Sequence, residues 1–318
     1  MPETAEHKII VIAGPTASGK SGLALDLALA LNGEVINADS MQVYKNMPVI
    51  TACPSAEDKT RVLHHLYEIY EPSVNGTVVD WLNRAMVKIR EVWEKGRLPI
   101  VVGGTGLYLD NLINGTTPIP ECAAEVRSEV RRLAAEKGIG AVYEALAKVD
   151  IAAAERLNPN DTSRVTRAYE VWKQTGITIT EWHRRPMVKK LPEAVFDIIK
   201  LCPPAEELDS RCYLRFDRMM SAGALEEVRR LTELKLPGNL PAMKALGVPE
   251  LAAYLRGETG FEEAAENAKL HTRQYAKRQL TWFRNKLEAD VTLPDCYAGQ
   301  ADFINDVKKQ YNMLQKFA

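Results

Sequence analysis

Eight residues near the N-terminus, Gly14-Pro15-Thr16-Ala17-Ser18-Gly19-Lys20-Ser21, satisfy the pattern G-x-x-x-x-G-K-[ST] at every position. Glycines let such a loop curl so that its N–H groups, and the start of the following helix, face one anion. Lys20 adds a point charge, and the Ser21 hydroxyl is of a kind that holds Mg²⁺ beside a phosphate chain. The motif alone recurs by chance, but its setting here is specific. Residues 8–13 (KIIVIA) form the β-branched apolar run of a buried strand, and residues 20–31 (KSGLALDLALAL) read as a helix closed by Asn32-Gly33. A strand, this loop and a helix together predict a grip on a di- or triphosphate. ATPases of this type usually carry a later apolar strand ending in Asp, which helps hold the metal. The best later strand, 98–102 (LPIVV), runs instead into Gly103-Gly104-Thr105-Gly106. That substitution points to a phosphate that departs rather than one attacked at phosphorus.

Other chemistry-bearing residues fall after strands. Asp39-Ser40-Met41-Gln42 follows a strand over 34–39, at the sheet edge where α/β folds place ligands. A turn or cap is the plain reading of such an Asp; beside a diphosphate seat, Asp39 is a candidate general base. Gly103-Gly104-Thr105-Gly106-Leu107-Tyr108 reads either as a strand-to-helix turn or as a place where substrate approaches the backbone. Arg211 and Arg215, one helical turn apart, either fork onto phosphate oxygens or pair with nearby acids. From Lys269 to Lys286 there are six basic residues and no acid, with Lys269, Arg273 and Lys277 spaced four apart on one helical face. A solvated face usually alternates signs, so this run is a candidate phosphate-backbone contact. His64-His65 lacks a third ligand and is not expected to bind metal, and Trp172, Trp182 and Trp282 are expected in cores rather than stacked on bases.

The elements that must position these residues alternate. Strands at 8–13, 34–39 and 98–102, with helices at 20–31 and 79–95, predict an α/β fold: a P-loop NTPase-like core whose parallel sheet is flanked by helices. After 116–120 (TTPIP) the period becomes helical to about residue 186; a strand returns at 194–202, and helices follow over 206–234, 242–255, 262–287 and 301–314. The expected division is a discontinuous core, 1–118 and 191–290, interrupted by a helical insertion at 119–190 and followed by a tail helix within 291–318. The chain of 318 residues is 46% hydrophobic and 26% charged, with a net charge of −1, which excludes a polycation but not a local nucleic-acid face. No apolar run approaches the roughly 20 residues that span a bilayer. Met1-Pro2-Glu3-Thr4 lacks the marks of a secretory signal, and five scattered cysteines show no metal or disulfide spacing. A cytoplasmic, monomeric enzyme with no membrane partner is therefore expected.

Together these segments resemble the tRNA dimethylallyltransferases (tRNA isopentenyltransferases) over about nine-tenths of the chain. The resemblance is carried in order by GPTASGKS at 14–21, DSMQVYK at 39–45, HHL at 64–66, GGTGLY at 103–108, PNDTSRVTRAYEV at 159–171, RCYLRFDRMMSAGALEEV at 211–228 and AKRQLTWFR at 276–284. It implies transfer of a dimethylallyl group from dimethylallyl diphosphate to N6 of the adenosine just 3′ of a tRNA anticodon. The loop 14–21 with Arg215, and Arg211 beside it, would then hold the departing diphosphate together with Mg²⁺; Thr16, Lys20 and Arg215 would share the catalytic work, with Asp39 taking the amine proton. Family tRNA contacts map onto Asp39, Ser40, Met41, Gln42, Thr105, Arg127, Ser163, Arg164, Val165, Thr166, Arg167, Arg273, Lys277, Arg278 and Gln279. The resemblance also gives the insertion a role in clamping the anticodon stem-loop, whose adenosine must leave its stack to react. The chain departs from the family pattern at Val49-Ile50-Thr51-Ala52-Cys53-Pro54, at Leu66-Tyr67-Glu68 and at Gly247-Val248.

Two rivals remain at this level. A small-molecule kinase would put ATP in the same loop and an acceptor hydroxyl on Asp39. A nucleotide-regulated RNA-binding module would use the basic run without catalysis.

Overall fold

The computed structural model describes residues 7–315, so the reading of Met1-Pro2-Glu3-Thr4 lies outside the described residues. Five parallel pairings build one sheet of six strands in the order β3-β2-β4-β1-β5-β6. In chain order the first half contributes β1 (His7–Ala13), α1 (Lys20–Leu31), β2 (Gly33–Asn37), α2 (Ala56–Arg61), β3 (His64–His65), α3 (Val78–Glu94), β4 (Leu98–Gly103) and α4 (Gly106–Ile113). Helices α5 (Ala124–Val149), α6 (Ile151–Arg156), α7 (Thr162–Thr175) and α8 (Ile179–His183) follow. The chain then returns through β5 (Ala194–Leu201), α9 (Ala205–Ser221), α10 (Ala224–Glu233), a 3-10 turn at Ala242–Lys244, α11 (Val248–Leu255), α12 (Phe261–Lys286), β6 (Val291–Leu293) and α13 (Ala301–Gln315).

Strand β1 shows why its sequence is continuously apolar. It lies between β4 and β5, with Ile10 opposite both Ile100 and Asp197. Ile9 and Val11 enter one core with Trp81, Leu82 and Phe283, while Ile10 and Ile12 enter a second with Leu23, Leu27 and Val35. Both faces of the strand are dry, as a parallel sheet covered on two sides requires. Removing any one of these isoleucine side chains to alanine would cost about 2–5 kcal/mol. Because all strands are parallel, the segments after β1, β2, β4 and β5 emerge at one edge. The chain order reverses about β1, the position at which open α/β sheets leave a ligand crevice.

The described residues form two compact units, one of residues up to Ile113 together with those from Leu191 onward, the other Asn114–Lys190. The helical unit begins before the expected residue 119, because Thr116 and Val188 form an antiparallel bridge that closes it, with N···O distances of 3.1 and 2.9 Å. Within it, α5 kinks at Gly138, where φ is 79°. The expected separate tail is instead part of the sheet unit: β6 pairs with β5, and Tyr297 and Val307 join the core that covers α1. Strand β6, three residues long, carries too short a pattern to be read from sequence. The helix expected over 206–234 is two helices, broken at Gly223, where φ is 97°. Likewise 242–255 divides at Gly247, where φ is 87°. Among the described residues no helix is long and apolar enough to cross a membrane.

Candidate active site

Loop 14–21 joins β1 to α1 through two left-handed residues, Ala17 at φ 64° and Gly19 at φ 89°. Gly19 is required twice over, by its φ and because a Cβ there would overlap the backbone carbonyl of Tyr297. Tyr297 N donates to Ser18 O at 2.9 Å, so the segment after β6 braces the loop from behind. Lys20 folds over the loop, its Nζ donating to Pro15 O at 3.0 Å. Burial lowers the Lys20 pKa from 10.5 to about 8; the nearby Arg215 charge adds to this, and Asp39 opposes it. Burial also lowers the Arg215 pKa, again against the pull of Asp39. These two half-buried cations are placed to meet an anion. Ser18 is fully buried, and its Oγ has no hydrogen-bond partner.

Helix α9 brings Arg215 to the loop, where Nη1 donates to Thr16 Oγ1 at 2.9 Å. Arg211 goes elsewhere: its Nη2 donates to Tyr297 O at 3.2 Å, and Nη1 lies 3.7 Å from Glu207. Spacing placed both arginines on one helical face, but that face spans the loop and the brace behind it, and only Arg215 lines the cavity.

Asp39 follows β2. Its N–H donates to Asn37 Oδ1 at 2.9 Å, and its Oδ1 accepts from Met41 N at 2.9 Å and Gln42 N at 3.4 Å. Asp39 therefore caps a turn through Oδ1, the plain reading of such a residue, and it also lines the cavity. Thr105, after β4, takes the Ser40 N–H on Oγ1 at 2.9 Å and donates to Ser40 Oγ at 3.2 Å. The crossing of these two strand ends explains Gly103, where a Cβ would overlap the Ala38 carbonyl.

A cavity of about 250 Å³ opens between these groups. Thr16, Asp39 and Arg215 form its polar end; Ile50, Phe216, Met219 and Leu246 supply apolar wall, and Tyr275 and Arg278 also border it. Sequence reasoning missed the apolar wall, because its residues come from distant segments that look like ordinary core. Buried Glu227 on α10 fixes one side, accepting from Val49 N at 3.0 Å and Ile50 N at 2.9 Å. The two amides it holds begin the segment, Val49 to Pro54, where the chain departs from the family pattern.

Several expected RNA contacts are otherwise occupied. The Gln42 side chain donates to Thr51 O at 3.1 Å and Ala52 O at 2.7 Å, holding the cavity-wall segment rather than facing outward. The basic run on α12 is partly neutralised by α9, with Lys269 at 2.9 Å from Asp217 and Arg273 at 2.7 Å from Asp209. A run read along one helix cannot reveal acids supplied by its neighbour. Lys277 and Arg278 are exposed, whereas Gln279 is buried. In the helical unit, Val165 is fully buried in the core, which removes its side chain from any RNA face. Arg167 Nη1 lies 2.9 Å from Cys122 Sγ, Thr166 Oγ1 is buried without a partner, and Arg127 pairs with Glu121 at 3.0 Å. Ser163 and Arg164 are exposed at the start of α7, Arg164 at 3.3 Å from Asp161. His65 is bonded to the buried Glu34 at 2.6 Å, and His64 to Val62 O at 2.9 Å. Among the described residues no group of three or more His, Cys, Asp or Glu side chains forms a metal site.

Comparison with known proteins gives a consistent set of likenesses. Residues 42–286 match the model of the family described as IPP transferase. The chain is 41% identical over 309 residues to a tRNA dimethylallyltransferase of Rickettsia massiliae, covering 97% of this chain and 85% of that protein. It is 47% identical over 289 residues to one of Rhodospirillum centenum, covering 91% of each. Among solved structures, a full-length tRNA isopentenylpyrophosphate transferase of Bacillus halodurans superposes with a TM-score of 0.69 at 34% identity, over 96% of both chains. A eukaryotic dimethylallyltransferase captured acting on tRNA superposes with a TM-score of 0.81 at 29% identity, over 97% of this chain and 80% of that one.

Proposed function

Given that this chain belongs to the IPP transferase family of tRNA dimethylallyltransferases, we propose that its cavity holds dimethylallyl diphosphate with the diphosphate on loop 14–21. The chain transfers a dimethylallyl group from that donor to N6 of the adenosine on the 3′ side of a tRNA anticodon, releasing diphosphate. One observation supports the assignment of roles: a single cavity joins a polar end at Thr16, Asp39 and Arg215, beside the loop that carries Lys20, to an apolar wall of Ile50, Phe216, Met219 and Leu246. A kinase core has a use for the first and none for the second.

The roles follow from where charge moves. The C1–O bond of the allylic diphosphate breaks as N6 forms its bond to C1, and negative charge grows on the leaving oxygen. The Arg215 guanidinium, the Thr16 hydroxyl and the Lys20 ammonium are already fixed beside the loop, so little reorganisation is needed as that charge appears. The adenine amine is a weak nucleophile, and Asp39 Oδ2 takes the proton it loses. Thr105 holds Ser40, and with it the Asp39 segment, against the end of β4. The donor set suits Mg²⁺ that arrives with the diphosphate: Ser21 offers one exposed hydroxyl, and a small hard cation keeps several waters and phosphate oxygens as ligands. When bound, the ion would neutralise charge on the departing diphosphate. Exposed Lys277, Arg278, Ser163 and Arg164 supply candidate contacts to the tRNA backbone.

The deciding experiment is incubation of purified protein with unmodified tRNA, Mg²⁺ and labelled dimethylallyl diphosphate. Label in the adenosine beside the anticodon is expected. Absence of label, with ATP consumed on a small metabolite, would return the chain to the kinase reading.

A further inference from the structure

Gln279 stands in the middle of the basic run on α12, between exposed Arg278 and buried Leu280, and is itself only 7% exposed. Its amide makes two bonds to main chain far away in sequence. Oε1 accepts from Thr16 N at 2.8 Å, and Nε2 donates to Gly104 O at 2.7 Å. The reverse amide orientation would set donor against donor and acceptor against acceptor, so the network decides it.

Each end of this bridge reaches the reacting groups in one step. Thr16 is the residue whose hydroxyl receives Arg215. Gly104 precedes Thr105, whose hydroxyl holds Ser40 beside Asp39. One carboxamide therefore sets the separation between the diphosphate loop and the turn that supports the base. The fit extends along the turn: a Cβ at Gly104 would meet Gln279 Nε2 at 2.5 Å, and one at Gly106 would meet the Trp282 ring at 2.6 Å. These two glycines are explained by the close approach of α12 without invoking substrate.

We propose that Gln279 is a positioning residue for the transfer reaction and not a contact to tRNA. It couples the helix whose outer face carries Lys277 and Arg278 to the phosphate loop beneath. No other side chain supplies both the acceptor and the donor at this length. Glutamate keeps the bond to Thr16 N but turns the second end into repulsion against Gly104 O; methionine fills the space and makes neither bond.

The proposal rests on the transferase reading, and its test separates the two. In the parent chain, Q279E, Q279M and K277A, three quantities are measured: tRNA affinity with its salt dependence, inorganic pyrophosphate affinity by calorimetry, and kcat and KM for each substrate. For both Gln279 variants the expected result is parental tRNA affinity and salt slope, with kcat/KM for dimethylallyl diphosphate reduced at least about tenfold, as for loss of a buried hydrogen bond. K277A is expected to show the opposite pattern, with weaker tRNA binding and a flatter salt slope. Weakened tRNA binding in Q279E and Q279M with unchanged donor kinetics would make Gln279 an RNA contact after all. Parental behaviour in every measurement would show the bridge to be idle, and unfolding of both variants would assign Gln279 to the fold alone. If the parent itself transfers no label, the transferase reading fails. Gln279 is then judged by pyrophosphate affinity, which the bridge requires to fall in both variants and which an unchanged value would refute.

Discussion

Arg215 Nη1 donates to Thr16 Oγ1 at 2.9 Å across 199 positions of sequence, joining α9 to the loop after β1. The two side chains form one device: the hydroxyl orients the guanidinium, and burial of the guanidinium favours any anion that lands between them. Arg215→Lys keeps the charge and loses the planar fork, so turnover should fall about 10- to 100-fold. Thr16→Val should cost a similar amount. Because each change breaks the same link, the double variant should be little worse than either single one, a coupling of about 0.5–3 kcal/mol in a double-mutant cycle on kcat/KM. Additive losses would show the pair acting independently.

Asp39 caps its turn through Oδ1, the proposed base role falls to Oδ2, and a suitable pair of variants separates the two. Asp39→Asn retains an acceptor for Met41 N and Gln42 N but cannot take a proton, so kcat should fall by about 10²- to 10⁴-fold with the turn intact. Asp39→Ala removes the cap as well and should add a loss of unfolding free energy of about 0.5–2 kcal/mol. Near-parental kcat in Asp39→Asn would transfer the base role to another group.

Lys20 links donor binding to pH. Burial lowers its pKa from 10.5 to about 8, so between those values the unfolded chain binds more protons and folding stability rises with pH; below about 8 the buried charge opposes folding. A bound diphosphate reverses the preference by supplying the counter-charge. Pyrophosphate binding above about pH 8 should therefore draw a proton onto the protein, and affinity should fall as pH rises through that value. Calorimetry in buffers of different ionisation enthalpy reads the uptake. Lys20→Arg should abolish the protein's share and leave only that of the ligand, whereas equal uptake in both proteins would contradict the lysine's part.

Gly103 marks the closest approach of two strand ends, and the only backbone demand on it is space. Gly103→Ala forces its Cβ onto the Ala38 carbonyl and should destabilise the fold by about 1–3 kcal/mol while displacing Asp39. Thermal unfolding and kcat measured together check both consequences. Gly140→Ala, in a helix with open space around it, should instead stabilise by up to about 1 kcal/mol. Equal effects at the two positions would remove the packing explanation.

Local features are the part that sequence by itself determined. The curl at 14–21, the apolar β1, the breaks at Asn32 and the helical insertion all follow from chemistry acting within a few residues: glycine's freedom at positive φ, β-branched burial and period 3.6. For the same reason the alternation of strands and helices was enough to predict a parallel sheet, and the motif in its setting was enough to predict the curled loop between β1 and α1. Quantities set by distant neighbours were decided only in the tertiary structure. Arg211 and Arg215 share a face, yet one reaches the Tyr297 carbonyl and the other Thr16. Lys269 and Arg273 form a basic run until α9 supplies Asp217 and Asp209. Val165 and Gln279 sit inside motifs that look outward-facing, and burial turns both inward. Ile50, Phe216, Met219 and Leu246 become a pocket wall only where three separate segments meet. Burial, electrostatic partners and cavities belong to pairs of surfaces, and a single segment of chain carries only one member of each pair.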